Sequence, residues 1–277
     1  MAIKYSVSTL WLSPPGDLKS RIERCIEEAA ELNKSKEPVY IFFRADDIAV
    51  PTKQFNRLMG IFTRHRAPLS LAVVPAWLTH ARWEVVKTTC QSSSSLWCWH
   101  QHGWRHINHE SKGKKQEFGP ARPAGVIKND LIRGRKRLES LMEDDFYKAF
   151  TPPWNRCCKD ALELLNELGY YALSRDQGAS PPTPEGLIDF QVNVDLHTRK
   201  ELDPHECWDA LFAELRLALL GSVCGIMIHH QRMNDAAFDF LEVLIQAFSH
   251  HKDLCLVHLK DLVRLKKAGI LTQQFRQ

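Results

Sequence analysis

Residues 39–47 read Val39-Tyr40-Ile41-Phe42-Phe43-Arg44-Ala45-Asp46-Asp47. The β-branched and aromatic run Val39–Arg44 is a strand. Two adjacent carboxylates follow it. Carboxylates beside a buried strand are costly to desolvate unless they are paired or bound to a metal. Adjacent side chains diverge, so one Asp can hold a cation while the other faces a reacting atom. A helix N-cap followed by a surface Asp is the alternative from the same residues.

The rhythm set by this strand continues outward. Pro51–Arg66 carries Phe55, Leu58, Met59 and Phe62 at helical spacing, with Pro51 suited to a first turn. Strands follow at Leu69–Val74, Leu96–His100, Tyr147–Phe150, Tyr171–Ser174, Leu187–Leu196, Val223–Ile228 and Leu254–His258. Helices alternate with them at Arg82–Cys90, Asp130–Glu143, Lys159–Leu168, Pro204–Leu220 and Ala236–Phe248. Strands joined by helical crossovers predict an α/β fold with a parallel sheet or barrel. Residues 1–38 contain an amphipathic segment, Leu18–Leu32, and are expected to form a helical extension packed on a single domain spanning 39–277.

Composition sets the outer limits. The 277 residues are 44% hydrophobic and 25% charged, which excludes wholesale disorder, collagen-like repeats and coiled coil. No run approaches the roughly 18–20 apolar residues of a membrane span. The opening Met1-Ala2-Ile3-Lys4-Tyr5-Ser6 lacks the features of a secretory signal. A net charge of +4 is spread along the chain, and no nucleic-acid-binding signature stands out. Arg133, Arg135, Lys136 and Arg137 read as the wet face of a helix, with a phosphate cradle as the alternative. The eight cysteines include no Cys-x-x-Cys pair, so reduced thiols in a cytoplasmic protein are expected.

Two further places join Asp46-Asp47 at the C-terminal ends of predicted strands, where α/β folds gather their sites. His100, His102, His106 and His109 fall within ten residues. The i, i+4 spacing of His102 and His106 predicts two imidazoles on one face of a helical turn, suited to a divalent metal. The apolar strand Gly225–Ile228 ends in His229, either a plain rim histidine or, beside a metal, a general acid.

These residues, in this order, resemble the polysaccharide deacetylases, the NodB-homology or carbohydrate esterase family 4 group. The resemblance spans Tyr40 to His258 and implies a distorted (β/α)7-type barrel that removes acetyl groups from sugars. It implies Asp46 as base and Asp47 as metal ligand. His102-Gly103-Trp104-Arg105-His106 is similar to the family's His-(Ser/Thr)-x-x-His, with Gly103 replacing Ser/Thr, and implies the other two ligands. Ile226-Met227-Ile228-His229 is similar to its last motif and implies His229 as acid. Thr151-Pro152-Pro153-Trp154 matches Arg-x-Pro-(Tyr/Trp) only in part, because Thr151 stands where the family has the Arg that orients the base. Arg44 and Arg156 are the stand-ins close in sequence. Asp195 is the candidate support for His229. Trp104, Trp154, Pro153, Arg44 and His100 are the expected substrate contacts, and His106–Arg122 is either a substrate lid or a surface loop.

The expected cofactor is a divalent metal, zinc by default, with cobalt, nickel, manganese or iron also suited to the ligands. The expected activity is hydrolysis of the N-acetyl group of an acetylated sugar or glycan precursor. A non-sugar amidohydrolase and an inactive glycan- or partner-binding relative are the alternatives.

Overall fold

The computed structural model describes residues 7–33 and 37–271. The helices are α1 (Leu18–Leu32), α2 (Lys53–Arg64), α3 (His80–Cys90), α4 (Ala124–Met142), α5 (Lys159–Glu167), α6 (Pro204–Leu219), α7 (Asp235–His250) and α8 (Leu259–Lys267). The strands are β1 (Val39–Ile48), β2 (Leu69–Val73), β3 (Trp97–His102), β4 (Phe146–Thr151), β5 (Ala172–Leu173), β6 (Ile188–Asp189), β7 (Val194–Asp195), β8 (Val223–Ile228) and β9 (Leu254–Val257). All pairings among these strands are parallel, in the order β6-β5-β4-β3-β2-β1-β8-β7, with β9 on the first half of β1.

The two ends of that path belong to one segment. On one side Phe190 N–H donates to the Leu173 carbonyl and Val192 N–H to that of Arg175. On the other, Asn193 N–H donates to Gly225 and Leu196 N–H to Met227. The sheet thereby closes as a distorted barrel of the expected (β/α) kind. The strand predicted over Leu187–Leu196 is instead two short pieces, because the segment crosses from β5 to β8 midway.

Alternation along the strands separates two cores. Ile41 and Phe43 face the outer helices, where Phe43 meets Phe62 edge-on at 5.3 Å. Phe42, Cys98, Ala149, Phe190 and Met227 fill the barrel interior. Gly225 makes that interior possible: a Cβ there would lie 2.5 Å from the Gln191 carbonyl oxygen and 2.6 Å from the Phe42 ring.

Local chemistry fixes the helix starts. Thr52, Thr79 and Asn234 cap α2, α3 and α7 through their side chains, and Asp203 caps α6 with Pro204 in its first turn. Helix α4 begins at Ala124, six residues before the predicted start, burying Ile127 and Leu131 one turn apart. Of the basic stretch, Arg133 and Lys136 are exposed. Arg135 donates to the Leu168 carbonyl and Arg137 to those of Pro75 and Leu78, so neither is free for a phosphate.

Helix α1 packs on α6 and α7. Before it, the buried Trp11 sits edge-on to Trp208 at 5.3 Å and donates Nε1–H to the Leu196 carbonyl at 3.1 Å. All eight cysteines are free thiols. Among the described residues no helix is long and apolar enough to cross a membrane.

Candidate active site

The Asp pair lies inside β1, at a bulge, not beyond the strand as a helix cap. Ala45 pairs with Leu71 but Ile48 with Val73, so three steps on β1 match two on β2. Asp47 takes the extra position with φ of +60°. A regular strand would send Asp46 and Asp47 to opposite faces. The bulge re-aims one of them, and both carboxylates feel His102 and His229 at the C-terminal rim.

Asp47 Oδ1 lies 3.4 Å from His102 Nε2 and 3.3 Å from His106 Nε2. It is buried without a hydrogen-bond partner. Two ligands roughly 2.1 Å from a tetrahedral ion stand roughly 3.4 Å apart, so the spacing and the orphaned oxygen fit a divalent metal. His102 Nδ1 donates to the Thr151 carbonyl oxygen at 2.9 Å, which orients the ring with Nε2 towards Asp47. Burial opposes ionisation of Asp47, but His102 and His106 outweigh it and hold the carboxyl below its usual range. Burial, reinforced by His102, pushes His106 down to about 4, so its imidazole is neutral near pH 7.

The two imidazoles do not share a helical turn. His102 ends β3, and the chain then reverses through left-handed backbone at Gly103 (φ +60°) and His106 (φ +59°). The spacing of four serves a tight loop as well as a helix. The following segment is anchored at its far end, where Glu117 and Phe118 are buried and Phe118 bridges to Cys157. Asn108 ties the exposed part together through Glu110 and Gln116.

Arg44 is fully buried, so it does not contact substrate as expected. Its guanidinium turns to Asp46 instead. Its Nε and Nη2 donate to the two Asp46 oxygens at 2.8 and 2.9 Å. The remaining donors reach Ser174 O and Oγ and Asn155 Oδ1, so all five N–H groups are used. Burial opposes the Asp46 charge, but the guanidinium, with His102 and His229, keeps the carboxyl below its ordinary range. Arg156, the other stand-in, lies near Asp176 instead. His100 is also buried and not substrate-facing: its Nε2 is hydrogen-bonded to Thr151 Oγ1 at 2.9 Å. Burial pushes its imidazole down to about 3.

His229 closes β8 on the facing side, with Nδ1 buried and unpartnered. Asp195 stands near it, and the charges of His229 and His197 overcome burial to lower the Asp195 carboxyl. Gln231 Nε2 donates to the Asp47 carbonyl at 2.8 Å and ties this loop to the bulge.

Two indoles flank His106. Trp154 lies 4.4 Å from it, aimed by left-handed backbone at Trp154 and Asn155, and Trp77 lies 5.7 Å away. Trp77 was not among the expected contacts. Trp104, which was, packs on the cluster of Phe118 and Phe150. Pro153 is buried and backs the Gly103 turn. Glu117, Asn155 and Ser174 also escaped the sequence reading. Only the acidic character of Glu117 amid a basic stretch marked it.

No protein-family model and no curated protein sequence matches the chain. Solved structures do. A Mycobacterium smegmatis protein assigned as a polysaccharide deacetylase superposes with a TM-score of 0.65 at 14% identity, over 88% of this chain and 95% of that one. The PuuE allantoinase gives 0.59 at 12% identity, over 86% and 94%. A mutant of a Bacillus anthracis CE4 family pseudoenzyme gives 0.53 at 10% identity, over 83% and 68%. These likenesses show the fold: the chain has the NodB-like polysaccharide deacetylase fold.

Proposed function

We propose that the protein is a metal-dependent hydrolase that removes the N-acetyl group from an acetylated sugar or glycan precursor. The observation that carries this reading is the Asp47–His102–His106 triad, with edges of 3.3 and 3.4 Å, beside an Asp46 clamped by Arg44. When bound, a divalent ion there, zinc by default, supplies Lewis-acid polarisation of the amide carbonyl.

The chain supplies the rest. Asp46 accepts the proton of the attacking water, and the Arg44 fork keeps its carboxylate ionised and oriented. His229 donates a proton to the departing amine nitrogen. Asp195 steadies the resulting imidazolium charge. Trp154 and Trp77 offer flat apolar faces to a sugar ring and an acetyl methyl.

An inactive glycan- or partner-binding relative was suggested by the missing Arg at Thr151. The Arg44 clamp weakens that motive, because a guanidinium already holds the base. The test is acetate release from N-acetylhexosamine derivatives by metal-loaded protein, with Asp46→Asn retaining metal and losing turnover. A panel of small and cyclic amides runs beside it, and turnover there alone would favour the non-sugar amidohydrolase. Absence of bound metal after reconstitution with zinc, cobalt or nickel would overturn the metal-hydrolase reading.

A further inference from the structure

The loop from Gly103 to His106 is held by one buried carboxylate that belongs to no part of the chemistry above. Glu117 Oε1 accepts from the backbone N–H of Arg105 at 2.6 Å and of His106 at 3.1 Å. Its Oε2 accepts from the N–H of Trp104 at 3.1 Å. Three consecutive backbone donors thus converge on one side chain, an anion-binding nest filled from within the protein.

The grip has a built geometry on both sides. Gly103 has no side chain where Glu117 comes in: a Cβ there would lie 2.1 Å from Glu117 Oε2. Glu117 is itself anchored. Its carbonyl accepts from Arg122 Nη1 at 3.0 Å, and the neighbouring Phe118 is fully buried, its carbonyl accepting from Cys158 N–H at 2.8 Å. The residue at the end of the gripped loop, His106, holds a left-handed φ of +59°. Non-glycine residues adopt that conformation at a cost and keep it only where the surroundings impose it.

We propose that Glu117 is a positioning residue for the metal site: by gripping the backbone of residues 104–106 it fixes the strained His106 so that Nε2 faces Asp47. This rests on the metal-hydrolase reading. Its observable is metal affinity, not turnover. Groups that orient a ligand without touching the ion typically alter affinity by about 10–100-fold.

The test uses the full chain, stripped of metal with a chelator and titrated with cobalt, following affinity and visible absorption. Wild type is compared with Glu117→Ala, Glu117→Gln, His106→Ala and Asn108→Ala, each well below its melting temperature. Glu117→Ala is expected to weaken binding at least about tenfold and alter the cobalt spectrum. Glu117→Gln, which keeps one acceptor oxygen, is expected to fall between it and wild type, and it carries the test if the alanine variant does not fold. Asn108→Ala, in the exposed part of the same segment, is expected to bind as wild type does. Wild-type affinity in the Glu117 variants, with His106→Ala impaired, would overturn the proposal and leave the metal reading standing. Equal weakening in Asn108→Ala and Glu117→Ala would also overturn it, as general loosening of the segment. A wild type that takes no metal would overturn both.

Discussion

Arg44 and Asp46 stand two residues apart on the same face of one strand, and the guanidinium of the first holds both carboxylate oxygens of the second at 2.8 and 2.9 Å. Lysine keeps the charge but not the planar fork. Arg44→Lys is therefore expected to lower kcat by roughly tenfold or more at unchanged metal content. It is also expected to lower stability by about 1–3 kcal/mol, because Ser174 and Asn155 lose buried partners. Steady-state kinetics beside urea unfolding checks both, and a wild-type kcat would remove Arg44 from its assigned role.

Thr151 serves two histidines by different atoms. Its carbonyl accepts from His102 and its hydroxyl pairs with His100. Thr151→Val removes only the second bond. Metal affinity should stay within about twofold of wild type, and stability should drop by about 1–3 kcal/mol for a buried imidazole nitrogen, His100 Nε2, left unpaired. Metal titration and denaturant melts on one preparation separate the two effects. Metal loss would mean that the hydroxyl, not the carbonyl, orients the site.

Gly103 faces two obstacles to replacement. A Cβ would lie 2.1 Å from Glu117 Oε2 and 2.6 Å from Pro153, and the backbone φ is +60°. Gly103→Ala should cost at least about 1–2 kcal/mol from the left-handed backbone alone. It should also reduce metal binding, because the whole turn must shift. A variant with wild-type melting temperature and affinity would show that the turn yields freely.

Two imidazoles outside the triad are held neutral, chiefly by burial. His197 and His230 are each pushed down to about 3, against roughly 6.5 in an unfolded chain. Below about pH 6.5 the unfolded state takes up protons that the folded state refuses, so stability falls as pH drops towards 3. Each such group contributes a slope of up to about 1.4 kcal/mol per pH unit. In chelator-treated protein, His230→Gln should flatten the stability curve between about pH 5.5 and 4 by that amount. An unchanged slope would mean that His230 ionises freely in the folded protein.

Much of the site was legible because strand ends are legible. Asp46, Asp47, His102 and His229 each come at the end of a largely apolar run, with His106 four residues past His102, and α/β topology gathers such ends at one rim. What connects them was not. Arg44 and Asp46 share a face by period-two alternation, but nothing local says that the guanidinium turns towards its neighbour and not towards a ligand. The bulge at Asp47 and the left-handed turn at His106 are imposed by packing, and an i, i+4 histidine pair reads equally well as a helix. The start of α4 was missed because Gly125 weakens a helix signal that tertiary burial of Ile127 restores. Glu117 was hidden because a polar stretch looks alike whether it drapes over a surface or plugs a backbone nest.

The central strand has a temporal consequence. Tyr40 of β1 pairs with Val223 of β8, about 180 residues later in the chain. At ribosomal speeds of about 5–20 residues per second, β1 waits roughly 10–40 s for that partner. In that interval the Val39–Phe43 edge is an unsatisfied template for foreign strands. One side of it is relieved by β8, the segment that leads into His229, and the other by β9 (Leu254–Val257). Covering that first side and acquiring the proposed proton donor are therefore the same event in the life of a newly made chain, and slower synthesis or lower temperature bears on both together.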